Sequence, residues 1–180
     1  MKKRILSLAL SAAMALTMLP TGAFAASDKG KPPVYNKATG CYEISTPDQL
    51  LYLSGSWRDG APRDGHYVLT ADIDMTGVKG FKPIASKKDQ GFTGTFDGQF
   101  HAIKGLRVEY EKKYAGLFGY VGNQDDQAYI KDVALLDCYV TGQQNVGALA
   151  GVNYGTITGC VVTGEVKCLD LSNSHTAGGI

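Results

Sequence analysis

The chain has 180 residues, 44% of them hydrophobic and 19% charged, and 23 are glycine. Loss of a leader containing Lys2, Lys3 and Arg4 leaves 15 basic against 17 acidic residues, a formal charge of −2. That balance gives no electrostatic reason to expect nucleic acid or an anionic membrane surface as a partner. Glycine at this abundance suits turns and strands better than helices.

Lys2, Lys3 and Arg4 precede an apolar stretch over Ile5–Leu19, and Ala23-Phe24-Ala25 places small residues at a cleavage site. Residues 1–25 read as a secretory signal cut after Ala25. The stretch is short for a membrane span and no stop-transfer pattern follows, so no integral membrane segment is expected after cleavage. The expected location is secreted, extracellular or cell-surface. Roughly 155 residues remain, enough for one domain with its own core.

Residues 26–40 are polar, contain Pro32-Pro33, and read as a flexible lead-in. Residues 41–65 read as an N-terminal cap. Cys41–Ile44 makes a short strand, and Thr46-Pro47-Asp48-Gln49 ahead of Leu50, Leu51 and Leu53 starts a helix. Thr46 is an N-cap, Pro47 suits the first helical position, and Gln49 sits where a capping box needs it. The helix should end near Gly55, with Trp57 packed in the same cap.

Residues 66–180 read as a solenoid. His66–Ile73 is a strand, Thr76-Gly77 a turn, and Phe81–Ile84 a short apolar piece. Phe92-Thr93-Gly94-Thr95-Phe96 alternates apolar and small polar residues before a turn at Asp97-Gly98. Ala102–Val108 offers Ile103, Leu106 and Val108 as inward residues around Gly105. Glu111-Lys112-Lys113 and residues 123–127 read as polar loops.

Two patterns then repeat. Gly116-Leu117-Phe118-Gly119 recurs as Ala148-Leu149-Ala150-Gly151, and again as Gly179-Ile180, at spacings of 32 and 31. Cys138-Tyr139-Val140-Thr141-Gly142 recurs 22 residues later as Cys160-Val161-Val162-Thr163-Gly164. Fixed-period repeats in a glycine-rich, strand-like sequence mark a solenoid, whose units bury apolar faces only by stacking. The solenoid reads as unfinished at Ile180, with an apolar edge near Val161–Val166.

Cys41, Cys138, Cys160 and Cys168 are an even count in an exported chain, which suggests disulfides. The repeat argues instead that Cys138 and Cys160 stack inward on adjacent rungs as reduced hydrophobes. Parallel neighbours point their Cβ atoms alike at about 4.8 Å, too wide for a bridge. No CxxC spacing indicates zinc.

Ile44 to Gly55 resembles the opening IST-x-x-QL-x-x-L of many exported bacterial repeat proteins, and Tyr67 to Met75 their next strand. Phe92 to Leu106 resembles their first coil, and Gly116-Leu117-Phe118-Gly119 the GLUG motif itself. The resemblance departs at Gln99-Phe100, where the family has Asn-Gly, and at Ala148, where it has Gly; Ala148 should therefore not need a positive φ. The resemblance implies an all-β, right-handed parallel β-helix (β-solenoid) with a short N-terminal capping helix. It also implies adhesion or the non-catalytic part of a larger surface protein, with some members being IgA-cleaving metallopeptidases.

Chemistry is sparse. His66, His101 and His175 lie in no His-Glu-x-x-His pattern, and neither a Gly-x-Ser-x-Gly elbow nor a P-loop occurs. Asp72 and Asp74 share a strand face around inward Ile73, but two carboxylates fall short of a calcium shell or a demonstrated acid/base pair. Asn123, Asp125 and Asp126 read as a solvated loop. Tyr120, Tyr129, Tyr139 and Tyr154 flank the repeats, with Tyr139 outward and available to stack a sugar or contact a protein. No catalytic, metal or cofactor residue is assigned. The expectation is a non-catalytic β-helical surface module that binds a glycan or host protein or acts as a stalk. The alternative is the N-terminal part of a larger secreted enzyme, either a polysaccharide-degrading β-helix or a metallopeptidase with its catalytic domain downstream.

Overall fold

A computed structural model describes residues 30–55, 61–170 and 177–179. The leader over 1–25, Trp57, His175 and Ile180 lie outside the described residues. In chain order the elements are β1 (Val34–Asn36), β2 (Cys41–Ile44), α1 (Pro47–Leu53), β3 (His66–Leu69), β4 (Ile73–Asp74), a 3-10 turn over Lys88–Gln90, β5 (Thr95–Asp97), β6 (Ala102–Lys104) and β7 (Arg107–Ala115). They continue with β8 (Phe118–Val121), β9 (Tyr129–Lys131), β10 (Ala134–Gly147), β11 (Ala150–Asn153), β12 (Thr156–Thr158), β13 (Val161–Cys168) and β14 (Ala177–Gly178).

The chain winds repeatedly through three sheets. One sheet has the order β1-β2-β3-β5-β9-β12, a second β13-β10-β6-β4, and a third pairs β11 with β8. β9, β10 and β11 visit the three in turn, and β12 returns to the first sheet beside β9. Among the named strands every pairing is parallel except that of β1 with β2. This is a parallel β-solenoid with one short α-helix near its start.

The glycine repeat sets the register. Phe118 pairs with Ala150, and Gly147 with Gly178, so the copies at Gly116, Ala148 and Gly179 stack rung on rung. Ala148 is buried and is not among the residues with positive φ, as its departure from glycine requires. The cysteine repeat misleads. Ala134 pairs with Val161, an advance of 27 residues rather than 22, and Cys138 faces Gly164. Cys160 therefore lies level with Val133, before β13 begins. Asp137, at φ 52°, adds a residue to β10 where the register shifts, so local sequence likeness does not follow the stacking. Cys138 is buried as expected, while Cys160 is only half-buried; all four cysteines are free.

Side chains inside the coil supply the core. Tyr42 stacks on Tyr67 with centroids 5.2 Å apart, and the column continues through Phe92 to Phe118. Ile103, Leu106 and Val108 are wholly buried. The helix covers the start of this core with Leu50, Leu51 and Leu53 buried. The Thr46 hydroxyl accepts from the Gln49 N–H at 3.3 Å, and Gln49 reaches back to the Ser45 N–H at 2.8 Å, one residue before the usual capping-box partner. Ser54 is the C-cap, and Gly55 at φ 85° follows it.

Three other expectations change. Val34–Asn36 forms an antiparallel strand on β2 within the span read as a flexible lead-in, with Asn36 donating to Glu43 at 2.7 Å. His66–Ile73 is not one strand: β3 and β4 belong to different sheets, because the chain turns a solenoid corner at Thr70–Asp72. Glu111–Lys113 lies inside β7, exposed but laddered to β10 through Lys113 and Gln144.

The corners use left-handed backbone. The pairs Ala102–Ala134 and Ala134–Val161 place Phe100, Asp132 and Gly159 in one column, at φ 64°, 54° and 63°. In the first of these rungs Gln99 is also left-handed, at φ 47°, and the His101 N–H donates to the Gly98 carbonyl at 2.8 Å. Two positive φ values inside an i to i+3 hydrogen bond define a type I′ turn, whose preferred central pair is Asn-Gly.

Candidate functional site

The outward polar residues that looked most chemical hold the rungs together. Asp72 is exposed, and its Oδ1 accepts from the Ala102 N–H at 3.0 Å and lies 3.0 Å from His101 Nδ1. These contacts, the backbone N–H first, hold its carboxyl below the usual range. Asp74 accepts from the Thr76 N–H at 2.9 Å; hydrogen bonding from Thr76, side chain and then backbone, likewise lowers its pKa. The two aspartates share an exposed face around buried Ile73, as the alternation predicts, but each serves a different turn. His66 is exposed on β3 beside Thr95, in a different sheet from His101. Among the described residues no group of three His, Cys, Asp or Glu side chains is placed to hold a metal ion.

Tyr139 points outward, as expected, but its ring is occupied. Arg107 lies over it at 4.3 Å and Lys167 at 5.3 Å, from the strands on either side of β10. Each cation is also paired along its own strand, Arg107 with Glu109 and Lys167 with Glu165, both at 2.8 Å. Cation–π contact of this kind fastens three rungs and leaves neither ring face open.

Tyr120 and Tyr154 differ. Tyr120 is buried and Tyr154 is 50% exposed; their rings stack at 5.6 Å with 28° between planes. Tyr114 meets Tyr120 edge-on at 5.4 Å. Burial and a hydrogen bond with Tyr154 push the Tyr120 hydroxyl up to about 12. The Tyr154 backbone is anchored by its N–H to the Val121 carbonyl at 2.8 Å, and Asn153 Oδ1 accepts from the Gly155 N–H at 2.9 Å.

The loop between β8 and β9 stands beside this ring. Asn123 Oδ1 accepts from the Asp125 and Asp126 N–H groups at 2.8 and 2.7 Å, and its amide donates to the Asp126 carboxylate at 3.2 Å. The loop, the two tyrosines and the 3-10 turn enclose an open cleft of about 230 Å³ lined also by Lys88, Asp89, Gln124 and Asp125. Lys88 and Asp89 are residues that sequence reading missed. They reach the cleft because Phe92 pairs with Val121, which sets their turn one rung below the loop. A broader depression of about 920 Å³ mixes Lys82, Lys87 and Lys112 with Glu109 and Glu111 and presents no stacked ring pair.

Comparison with known proteins places this architecture. No family model matches the chain. It is 34% identical over 135 residues to Halomucin of Haloquadratum walsbyi, an alignment covering 69% of this chain and 1% of that protein. Over 101 residues it is 33% identical to a protein of Evansella cellulosilytica described as a Gly-rich membrane protein, covering 51% of this chain and 11% of the relative. The chain thus spans a small fraction of the curated relatives it matches. A solved Bacteroides ovatus chain described as an immunoglobulin A1 protease superposes with a TM-score of 0.53 at 21% identity, covering 68% of this chain and 37% of that one. That likeness concerns the fold. No helix among the described residues is long and apolar enough to cross a membrane.

Proposed function

We propose that this chain is a non-catalytic β-solenoid module, of the GLUG-repeat type, in an exported protein displayed at the cell surface, where it binds glycan or protein or serves as a stalk. The observation that carries this reading is the scale of the likeness: a third of the residues agree with a stretch that is 1% of Halomucin and with another that is 11% of a Gly-rich membrane protein. A unit reused within much larger chains, each rung contacting only its neighbours, behaves as a modular spacer or display surface. The outward carboxylates support the same reading, since Asp72 and Asp74 each bind backbone N–H groups of turns rather than converging on one point.

The alternative, the N-terminal part of a secreted polysaccharide-degrading enzyme or metallopeptidase, draws on fold likeness to the Bacteroides ovatus chain alone. The test is to follow the full gene product in its own cells by antibody labelling and protease shaving of intact cells, and to assay it on polysaccharides and peptides. Labelling at the surface without turnover is expected. Purely cytoplasmic protein, or turnover lost on Asp72→Ala or His101→Ala, would overturn the proposal.

A further inference from the structure

We propose that the exposed face of Tyr154 is a carbohydrate subsite that accepts one pyranose ring. The inference rests on the surface-module reading and gives it a ligand class and an address.

An apolar sugar face needs a fixed, open aromatic ring, and its hydroxyls need acceptors and donors at the ring edge. Tyr154 supplies the ring. One side lies on Tyr120, half of the residue remains exposed, and its backbone is held by Val121. The stack holds the platform in place before any ligand arrives, which lowers the ordering cost of binding. Asp125 and Asp89 supply carboxylate acceptors, Gln124 an amide and Lys88 a donor, all lining the same cleft. Pairs of acceptors beside a ring suit vicinal hydroxyls. At about 230 Å³ the cleft falls below the roughly 300–1,000 Å³ of sites that enclose drug-sized ligands, so it suits a single ring. A protein partner needs about 800 Å² on each side, far more than this cleft offers.

The other exposed tyrosines do not match it. Both faces of Tyr139 carry cations. Tyr129 is 49% exposed but is not among the residues lining this cleft.

The test uses the full mature chain, labelled with ¹⁵N and titrated with methyl β-glucopyranoside, methyl β-galactopyranoside and N-acetylglucosamine. At least one should give saturable amide shifts at Tyr154, Gly122 and Asn123, with affinity in the millimolar range expected of one ring. Tyr154→Ala should weaken that binding at least about tenfold. Asp125→Ala, at an exposed loop position, should weaken it several-fold with the melting temperature unchanged, which keeps the test sound even if Tyr154→Ala disturbs the rung. Tyr139→Ala should leave it unchanged. Absence of saturable shifts with all three sugars overturns the subsite, as does equal binding by wild type and the Asp125 and Tyr154 variants. Neither result bears on surface display, which the labelling experiment reads separately.

Discussion

Replacing Phe100 by glycine should stabilise this protein. Phe100 is 82% exposed and sits at φ 64° in the second central position of a type I′ turn, after Gln99 at φ 47°. Left-handed backbone costs an L-residue roughly 1–2 kcal/mol, which glycine avoids. Glycine also makes the unfolded chain more flexible, which returns about 0.4–1 kcal/mol. Exposure of the ring means little packing is lost. The backbone bond from the Phe100 N–H to the Asp132 carbonyl, 2.9 Å, is open to any residue except proline. The net gain is about 0.5–1 kcal/mol, or roughly 2–3 °C in melting temperature for a domain of this size. Gln99→Asn should add a smaller increment, since asparagine tolerates this region. Thermal unfolding followed by circular dichroism measures both. The control is Gly105→Ala, at φ 66°, where a Cβ would sit 2.5 Å from the Thr76 hydroxyl and should lower stability. If Phe100→Gly lowers the melting temperature as Gly105→Ala does, the type I′ reasoning is wrong.

Three further outcomes follow from the packing. Cys138→Ser puts a hydroxyl in a buried site and should cost about 1–3 kcal/mol in chemical denaturation unless it finds a partner, whereas Cys160→Ser should be near neutral because the Cys160 Sγ already faces the Thr158 carbonyl at 3.3 Å. Leu50→Ala in the helix should cost about 2–5 kcal/mol and Thr46→Ala about 0.5–2 kcal/mol, both by urea titration; unchanged midpoints would remove the helix from its capping role. The Asp72 carboxyl is held low in the folded state, so its contribution is present above the unfolded value near 3.9 and is lost as pH falls through the lower folded one. The stability gap between wild type and Asp72→Asn should therefore shrink on acidification, and a gap that widens would contradict the assignment.

Local chemistry was legible in the sequence, and stacking was legible only where glycine marked it. Thr46, Pro47 and Gln49 announced the helix because caps act over a few residues. The copies at Gly116, Ala148 and Gly179 gave the true register because that corner is crowded: a Cβ at Gly116 would meet the Gly147 and Phe118 carbonyl oxygens at 2.7 Å. Cys138 and Cys160 gave a false register because their shared pattern fits any half-buried strand, while the stacking period is set by loop lengths. Tyr139 was readable as outward from its alternation with Cys138 and Val140, but Arg107 and Lys167 lie on other rungs, 32 and 28 residues away. The Tyr154 cleft was hidden for the same reason: its lining comes from three successive turns of the coil. β1 was missed because Val34–Asn36 is short, follows Pro32-Pro33, and gains its order from pairing with β2.

The ladders have a mechanical consequence. Hydrogen bonds between rungs run along the stacking axis, and β2 and β12 lie near opposite ends of that axis. Tension between the two ends therefore loads the rungs in series, and the rung with the fewest bonds and least burial gives way first. At the β13 end Val162 and Val166 are only partly buried, whereas at the other end β1 and the helix cover the coil. Under load the solenoid should pay out chain one turn at a time from the β13 side. Each turn of 32 residues, as between Phe118 and Ala150, would add up to about 110 Å of contour before the next turn yields.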